Sequence, residues 1–310
     1  MTVDTAPTRD PARTRATLVG GVAVLLWALL AAFTALTGEV PPLQLNAMCF
    51  AVGGAVGVGW GVATLGARGF ARVLTGQPPL AWAIGVGGLF GYHALYFLSL
   101  RTAPPAEASL IAYLWPLLIV LFAALLPGER LRAVHLIGAA LGFLGAGLLM
   151  AGGGFGGIAT GHLVALLCAV LWAAYSVGSR LMGAVPTAAV AGYCVAVALL
   201  SLPLHLALEE TVWPATATQW LAVLGLGLGP VGAAFYAWDR GCKAGDIQLL
   251  GALAYAAPVL STLVLVGLGL AVATWSLGAA CALVTLGAVV ASGSFSPRGR
   301  AVRSAKRRIA

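Results

Sequence analysis

The sequence predicts an all-α integral membrane protein of ten transmembrane helices, arranged as two inverted five-helix repeats around a central cavity. Three observations carry this: an extreme composition, ten apolar runs of membrane-spanning length, and a weak internal repeat. Of 310 residues, 61% are hydrophobic and 8% charged, with a mean hydropathy of +0.99. A soluble domain carries roughly 25% charged residues. A chain so poor in charge cannot clothe a globule in water, so lipid is its solvent.

A span needs about 20 mostly apolar residues. Runs of that kind fall at 17–36, 43–65, 80–100, 106–126, 133–151, 161–181, 187–208, 218–238, 246–271 and 275–292. None shows the ~10-residue alternation of an outer-membrane barrel. The connections are short and leave no room for a separate soluble domain. The first run exceeds the 7–15-residue core of a signal peptide and has a counterpart halfway along the chain, so it is expected to be retained.

The net charge of +8 is confined to flanks. Arg9, Arg13 and Arg15 precede the first run, and Arg298, Arg300, Arg303, Lys306, Arg307 and Arg308 follow the last. With ten crossings and a cytoplasmic N-terminus, the inner segments also take Arg68, Arg72, Arg130, Arg132, Arg180, Arg240 and Lys243. Of the basic residues only Arg101 then lies outside, with Glu39, Glu209 and Glu210 in outer loops. This asymmetry places both termini in the cytoplasm. It also argues against a nucleic-acid groove, which needs its basic residues clustered on one face. Trp213, Trp220 and Trp275 fall at outer boundaries, where aromatic belts sit. The five cysteines lack CxxC spacing and read as buried thiols.

The halves resemble each other in register. Leu26-Trp27-Ala28 matches Leu171-Trp172-Ala173; Tyr113-x-x-Pro116 matches Tyr255-x-x-Pro258; Tyr96 matches Tyr236; Gly138 and Gly147 match Gly278 and Gly287. Five spans per repeat force the second to enter the membrane upside down, as in many secondary transporters whose site lies near the midplane. The repeats are expected at 17–151 and 161–292, between tails at 1–16 and 293–310. Matched prolines in the fourth and ninth spans break backbone hydrogen bonds, which in lipid is tolerated beside a cavity.

Polar and aromatic stripes nominate lining residues: Tyr92, His93 and Tyr96; Ser109, Tyr113 and Pro116; Trp172 and Tyr175; Gln248, Tyr255, Pro258 and Ser261, with Trp27 as the repeat partner of Trp172. At any one position a ring serves packing as well as a cavity; together the stripes favour a cavity. No Asp or Glu falls at mid-membrane, so the acidic proton relay of many antiporters is missing. His93 is either a neutral imidazole bonded to a neighbouring helix or a group that meets a substrate carboxylate or a coupled proton. His93, His135, His162 and His205 are scattered, with no metal or catalytic spacing and no nucleotide-binding motif. No enzyme activity, metal or cofactor is expected.

Thr17-Leu18-Val19-Gly20, Leu26-Trp27, Ala112-Tyr113-Leu114-Trp115-Pro116, the turn Gly128-Glu129-Arg130, Trp172-Ala173-Ala174-Tyr175 and Pro258-Val259-Leu260-Ser261 resemble the drug/metabolite transporter superfamily in its EamA-like branch. Most of all they look like its aromatic amino-acid exporters. The resemblance runs from about residue 14 to 292. It implies two five-helix repeats, a central cavity and a secondary carrier exporting amino acids, aromatic and neutral, from the cytoplasm across the bacterial inner membrane by alternating access. Lipophilic cations, drugs or other metabolites are the alternative cargo. A monomer in the bilayer, with no partner but its substrate, is expected. Ala112 departs from the Asn frequent at that place in the family, which bears on substrate choice. Reporter fusions at each terminus should both read cytoplasmic; a periplasmic signal after Ala310 contradicts the ten-span topology.

Overall fold

The structure, a computed structural model, describes residues 11–123, 133–152, 159–180, 184–244, 254 and 256–291. Residues 1–10, the C-terminal tail, the Gly128-Glu129-Arg130 turn, Gln248 and Tyr255 lie outside the described residues, and the first helix reaches back to Pro11, inside the expected tail at 1–16. Among those described the chain is helical throughout, with no strand. Five stretches are long and apolar enough to cross a membrane: Thr14–Leu36, Pro42–Thr75, Pro79–Thr102, Ala189–Leu208 and Ala217–Trp238. Shorter apolar helices, Thr160–Tyr175 and Trp275–Gly287 among them, accompany these. The chain is a multi-pass membrane protein.

The helices are α1 (Pro11–Ala28), α2 (Leu30–Leu36), α3 (Pro42–Thr75), α4 (Pro79–Thr102), α5 (Pro105–Ala112), α6 (Trp115–Ala123), α7 (Ala133–Gly152), α8 (Thr160–Arg180), α9 (Ala189–Leu208), α10 (Ala217–Leu228), a π-helical turn (Gly229–Ala233), α11 (Ala234–Ala244), α12 (Ala257–Gly267) and α13 (Trp275–Ala291). Proline pairs start three of them. Pro41, Pro78 and Pro104 are extended, and Pro42, Pro79 and Pro105 each occupy the first helical position. There a fixed φ helps and the missing N–H is no loss. The first free donors of α3 are then the N–H groups of Leu43 and Gln44, and the Glu209 carboxylate accepts both, at 3.0 and 3.1 Å. His205 Nδ1 lies 2.9 Å from that carboxylate. Thr216 and Gln219 form a capping box on α10, two orphan donors satisfied reciprocally.

Several of the ten spans expected from sequence are not continuous rods. The first is interrupted at Leu29 between α1 and α2, the fourth at Tyr113–Leu114 between α5 and α6, and the eighth by the π turn. Pro116 and Pro258 each stand at the second residue of a helix, α6 and α12. The second span runs past its expected end at residue 65. Gly66, at φ +68°, breaks its helical path, a backbone region that favours glycine. Phe70 then folds back over Gly61. The ninth stops at Gly267, short of residue 271, where the chain turns through Gly269 at φ +71°.

The most extensive packing pairs α7 with α13, α3 with α9, α4 with α8, and α1 with α11. Each pair joins a helix before residue 152 to one after residue 160, so the two halves interlock around a shared core. Trp213, Trp220 and Trp275 are exposed, the first two stacked at 6.1 Å. Cys49, Cys168, Cys194 and Cys281 are buried free thiols.

Small residues let the backbones approach, as membrane helix pairs require. A methyl group at Gly287 of α13 meets the Gly138 carbonyl at 2.6 Å and the Gly142 nitrogen at 2.8 Å; one at Gly278 meets nothing within 4 Å. Backbone cannot step aside as a side chain does. Gly287→Val should therefore lower the melting temperature and the monodisperse yield sharply, at several kcal/mol as overpacked cores cost ~1–3 or more, while Gly278→Ala leaves both unchanged. Thermal-shift and size-exclusion profiles in detergent decide it.

Candidate substrate cavity

A narrow space of about 20 Å³, squeezed between rings, lies where the broken helices meet. It falls well below the ~300–1,000 Å³ of small-molecule sites. Trp27 and Leu30 flank the break in the first span. Tyr92, His93 and Tyr96 come from one face of α4, Ser109, Ala112 and Tyr113 from α5, Trp115 from α6, Trp172 from α8 and Phe235 from α11. The wall carries no Lys, Arg, Asp or Glu among the described residues.

Irregular backbone in lipid must find partners inside the protein, and here the cavity side chains supply them. In the π turn the Ala234 N–H, which an α-helix gives to Pro230, reaches Gly229 instead. The Trp27 indole Nε1 donates to the Pro230 carbonyl at 3.2 Å. The Tyr113 hydroxyl in turn donates to the Trp27 carbonyl at 3.1 Å, beside the break at Leu29. One relay thus runs from α5 through α1 to the eighth span. A second joins α4, α5 and α12: Tyr96 Oη donates to Ser109 Oγ at 3.2 Å, and Ser109 Oγ lies 3.5 Å from Ser261 Oγ.

His93 is 2% exposed, with Nδ1 2.9 Å from the Leu89 carbonyl. A carbonyl only accepts, so Nδ1 carries the proton and Nε2 of the neutral ring is an acceptor. Phe50, Phe235, Phe97 and Trp172 surround the imidazole with centroids at 5.0, 5.6, 6.1 and 6.3 Å. The bond runs one turn back in its own helix and not to the neighbouring helix expected, and Nδ1–H makes it whether the ring is neutral or protonated. Trp172 sits at the hub, 4.6 Å from Tyr92, 5.1 Å from Tyr175 and 6.4 Å from Trp115.

Of the residues nominated from sequence, Trp27, Tyr92, His93, Tyr96, Ser109, Tyr113 and Trp172 line this space. Ser261 reaches it through Ser109. Tyr175 stands behind Trp172, packed over Gly88, and Pro258 is buried at the start of α12. Pro116 follows Trp115 in the chain, its side chain outside the described set, as is all of Tyr255. Leu30, Trp115 and Phe235 were not on the sequence list. Trp115 is two positions from Tyr113 and would face away from it on an unbroken helix; the break at Tyr113–Leu114 turns both rings inward. Phe235 follows the π turn, whose extra residue shifts the helical face, and it had no stripe of its own to mark it.

A multi-span helical protein with an enclosed aromatic cavity amid broken helices is a small-molecule carrier in its construction. The chain belongs to the EamA-like transporter family, whose sequence profile matches residues 14–151 and again 159–293; it is a transporter and not an enzyme. It is 53% identical over 285 residues to the aromatic amino acid exporter YddG of Ancylobacter novellus, covering 90% of this chain and 98% of that one. It is 33% identical over 153 residues to the pseudopaline exporter CntI of Pseudomonas aeruginosa, about half of either chain. A solved crystal structure 54% identical in sequence superposes with a TM-score of 0.71, covering 90% of this chain and 99% of the other.

Tyr113→Phe and Trp27→Phe each leave a backbone carbonyl short of a donor and should each cost about 1–3 kcal/mol of stability. Because the two bonds meet at Trp27, the double variant should lose less than the sum. Additive losses in a double-mutant cycle contradict a coupled relay.

Proposed function

We propose that this chain exports amino acids, aromatic ones included, across the bacterial inner membrane by alternating access between two inverted repeats, residues 17–151 and 161–292. The observation that carries the reading is the uncharged aromatic cavity, in a chain 53% identical to an exporter named for aromatic amino acids. The double family match supports the division into repeats. So does the packing. With the spans numbered one to ten, exchanging the halves maps two-with-seven and five-with-ten onto themselves and turns three-with-six into eight-with-one. These are the four most extensive interfaces. Near-equivalent halves give the inward- and outward-open states similar energies, which is what a carrier needs.

A zwitterion brings a ring, an ammonium and a carboxylate. The bed of Trp172, Tyr92 and Phe235 suits the ring. An ammonium over a desolvated aromatic face gains ~1–2 kcal/mol, and His93 Nε2 offers it an acceptor. The indole N–H groups of Trp115 and Trp172 and the Tyr92 hydroxyl have no hydrogen-bond partner among the described residues and are donors for the carboxylate. Ala112 adds only a methyl group where the family often has Asn, making the wall more apolar. A permanent lipophilic cation finds no carboxylate in this wall, which weighs against that cargo. The narrowness of the gaps means that rings must move apart to admit any ligand. The protein is proposed to act as a monomer with both termini cytoplasmic.

The test is counterflow in proteoliposomes with labelled phenylalanine, tryptophan and tetraphenylphosphonium. The purified chain should exchange both amino acids. Trp172→Ala should slow exchange about tenfold or more, and His93→Gln, which keeps an acceptor, should retain more exchange than His93→Phe. Exchange of the lipophilic cation without the amino acids overturns the reading.

A further inference from the structure

Helix α5 is a wall one helix thick between two spaces. Its inner face, with Ser109, Ala112 and Tyr113, lines the central cavity. Its first turn, with Pro105 and Glu107, lines a second, open cleft of about 340 Å³, at the end of the bundle that the charge asymmetry places outside. The helix is set off at both ends. Ala103 and Pro104 are extended (φ −149°, ψ 164° and φ −54°, ψ 129°), and the helix stops at the Tyr113–Leu114 break. Among the described residues its outer end is joined to the second half of the chain by one side-chain hydrogen bond, Glu107 Oε2 with His162 Nε2 of α8 at 2.9 Å, beside the close packing of Gly161 on Thr102 and Ala103.

The pair is asymmetric. His162 is 3% exposed and its Nδ1 has no partner, whereas Glu107 is 24% exposed, on the cleft side. The opposite wall is Gly269–Ala271, directly after the C-terminus of α12. A helix C-terminus carries the negative end of the backbone dipole and favours cations. The starts of α5 and α13, positive dipole ends, border the same space, so the helix ends offset one another and Glu107 is the one charged side chain among the described lining residues.

We propose that Glu107 is a cation subsite at the outer mouth, taking the ammonium of an amino-acid substrate in exchange for His162. The inference rests on the carrier reading above and gives it an outer station. An ammonium that claims the carboxylate undoes the tie between α5 and α8, which frees the thin wall to swing on its two ends. Departure of the substrate returns Glu107 to an imidazole that is otherwise buried with both nitrogens unpaired, a costly state. Closure is therefore the resting condition, and the substrate itself loosens it.

The test is transport of phenylalanine in vesicles of known orientation, with KM measured separately from the outer and inner faces. Glu107→Gln should raise the outer KM about tenfold, as losing a charge-assisted bond predicts, and leave the inner KM near the wild-type value. His162→Leu, which removes the donor and frees the carboxylate, should lower the outer KM. An unchanged outer KM in Glu107→Gln, or equal rises on both faces as a merely structural role gives, overturns the proposal while leaving the carrier reading intact. If Glu107→Gln does not fold, His162→Leu decides, an unchanged or raised outer KM counting against the subsite. A wild-type protein that moves no amino acid from either face sinks the carrier reading and this subsite with it.

Discussion

Inside a bilayer a backbone N–H or C=O has no water to turn to, so each departure from the helix must be answered by another part of the protein. That constraint explains where this chain is irregular. The breaks at Leu29 and Tyr113–Leu114 and the π turn at Gly229–Ala233 all border one space. Trp27 and Tyr113 answer them, each giving its donor to a carbonyl of another span. The rings that form the cavity are therefore also the rings that make its broken helices tolerable. Removing one disturbs the architecture and the site together, and conservative variants report on the site more cleanly than truncation to alanine.

The same economy governs the frame. Lipid offers little hydrophobic drive for helix association, so close contact has to come from small residues and a few polar links. Gly287 against Gly138 and Gly142 brings α13 and α7 together, backbone to backbone. Glu209 capping the proline-led start of α3 fastens α9 to it at one end. Each of these links crosses between the first and second halves of the chain. Neither half has a core of its own, and a shift of one against the other must be carried by the helices that thread between them.

Chemically the interior divides into an uncharged centre and a charged rim. Rings, hydroxyls and one imidazole line the centre, which suits a ligand whose apolar part supplies most of the affinity. Carboxylates occur at one end of the bundle, where Glu107 meets His162 and Glu209 meets His205. On the proposed reading a zwitterion would pass from water to a carboxylate and then to π faces, its charged groups shedding solvent in stages.

Composition, the spacing of apolar runs and the placement of arginines were sufficient to specify a helical membrane protein, because lipid imposes its demands on every residue of a span. The stripe of Tyr92, His93 and Tyr96 and the paired Trp27 and Trp172 marked the cavity for the same reason: on an intact helix, sequence spacing is direction. Where the helix breaks, that rule lapses. Trp115 faces the same space as Tyr113 only because the chain unwinds between them, and Phe235 only because a π turn precedes it. Nor does any local pattern announce that Glu107 meets His162 across 55 residues of chain. The sequence by itself determined the solvent, the elements and most of the lining. The tertiary structure alone decided which way the broken segments turn and which buried groups pair, since both depend on contacts between spans far apart in sequence.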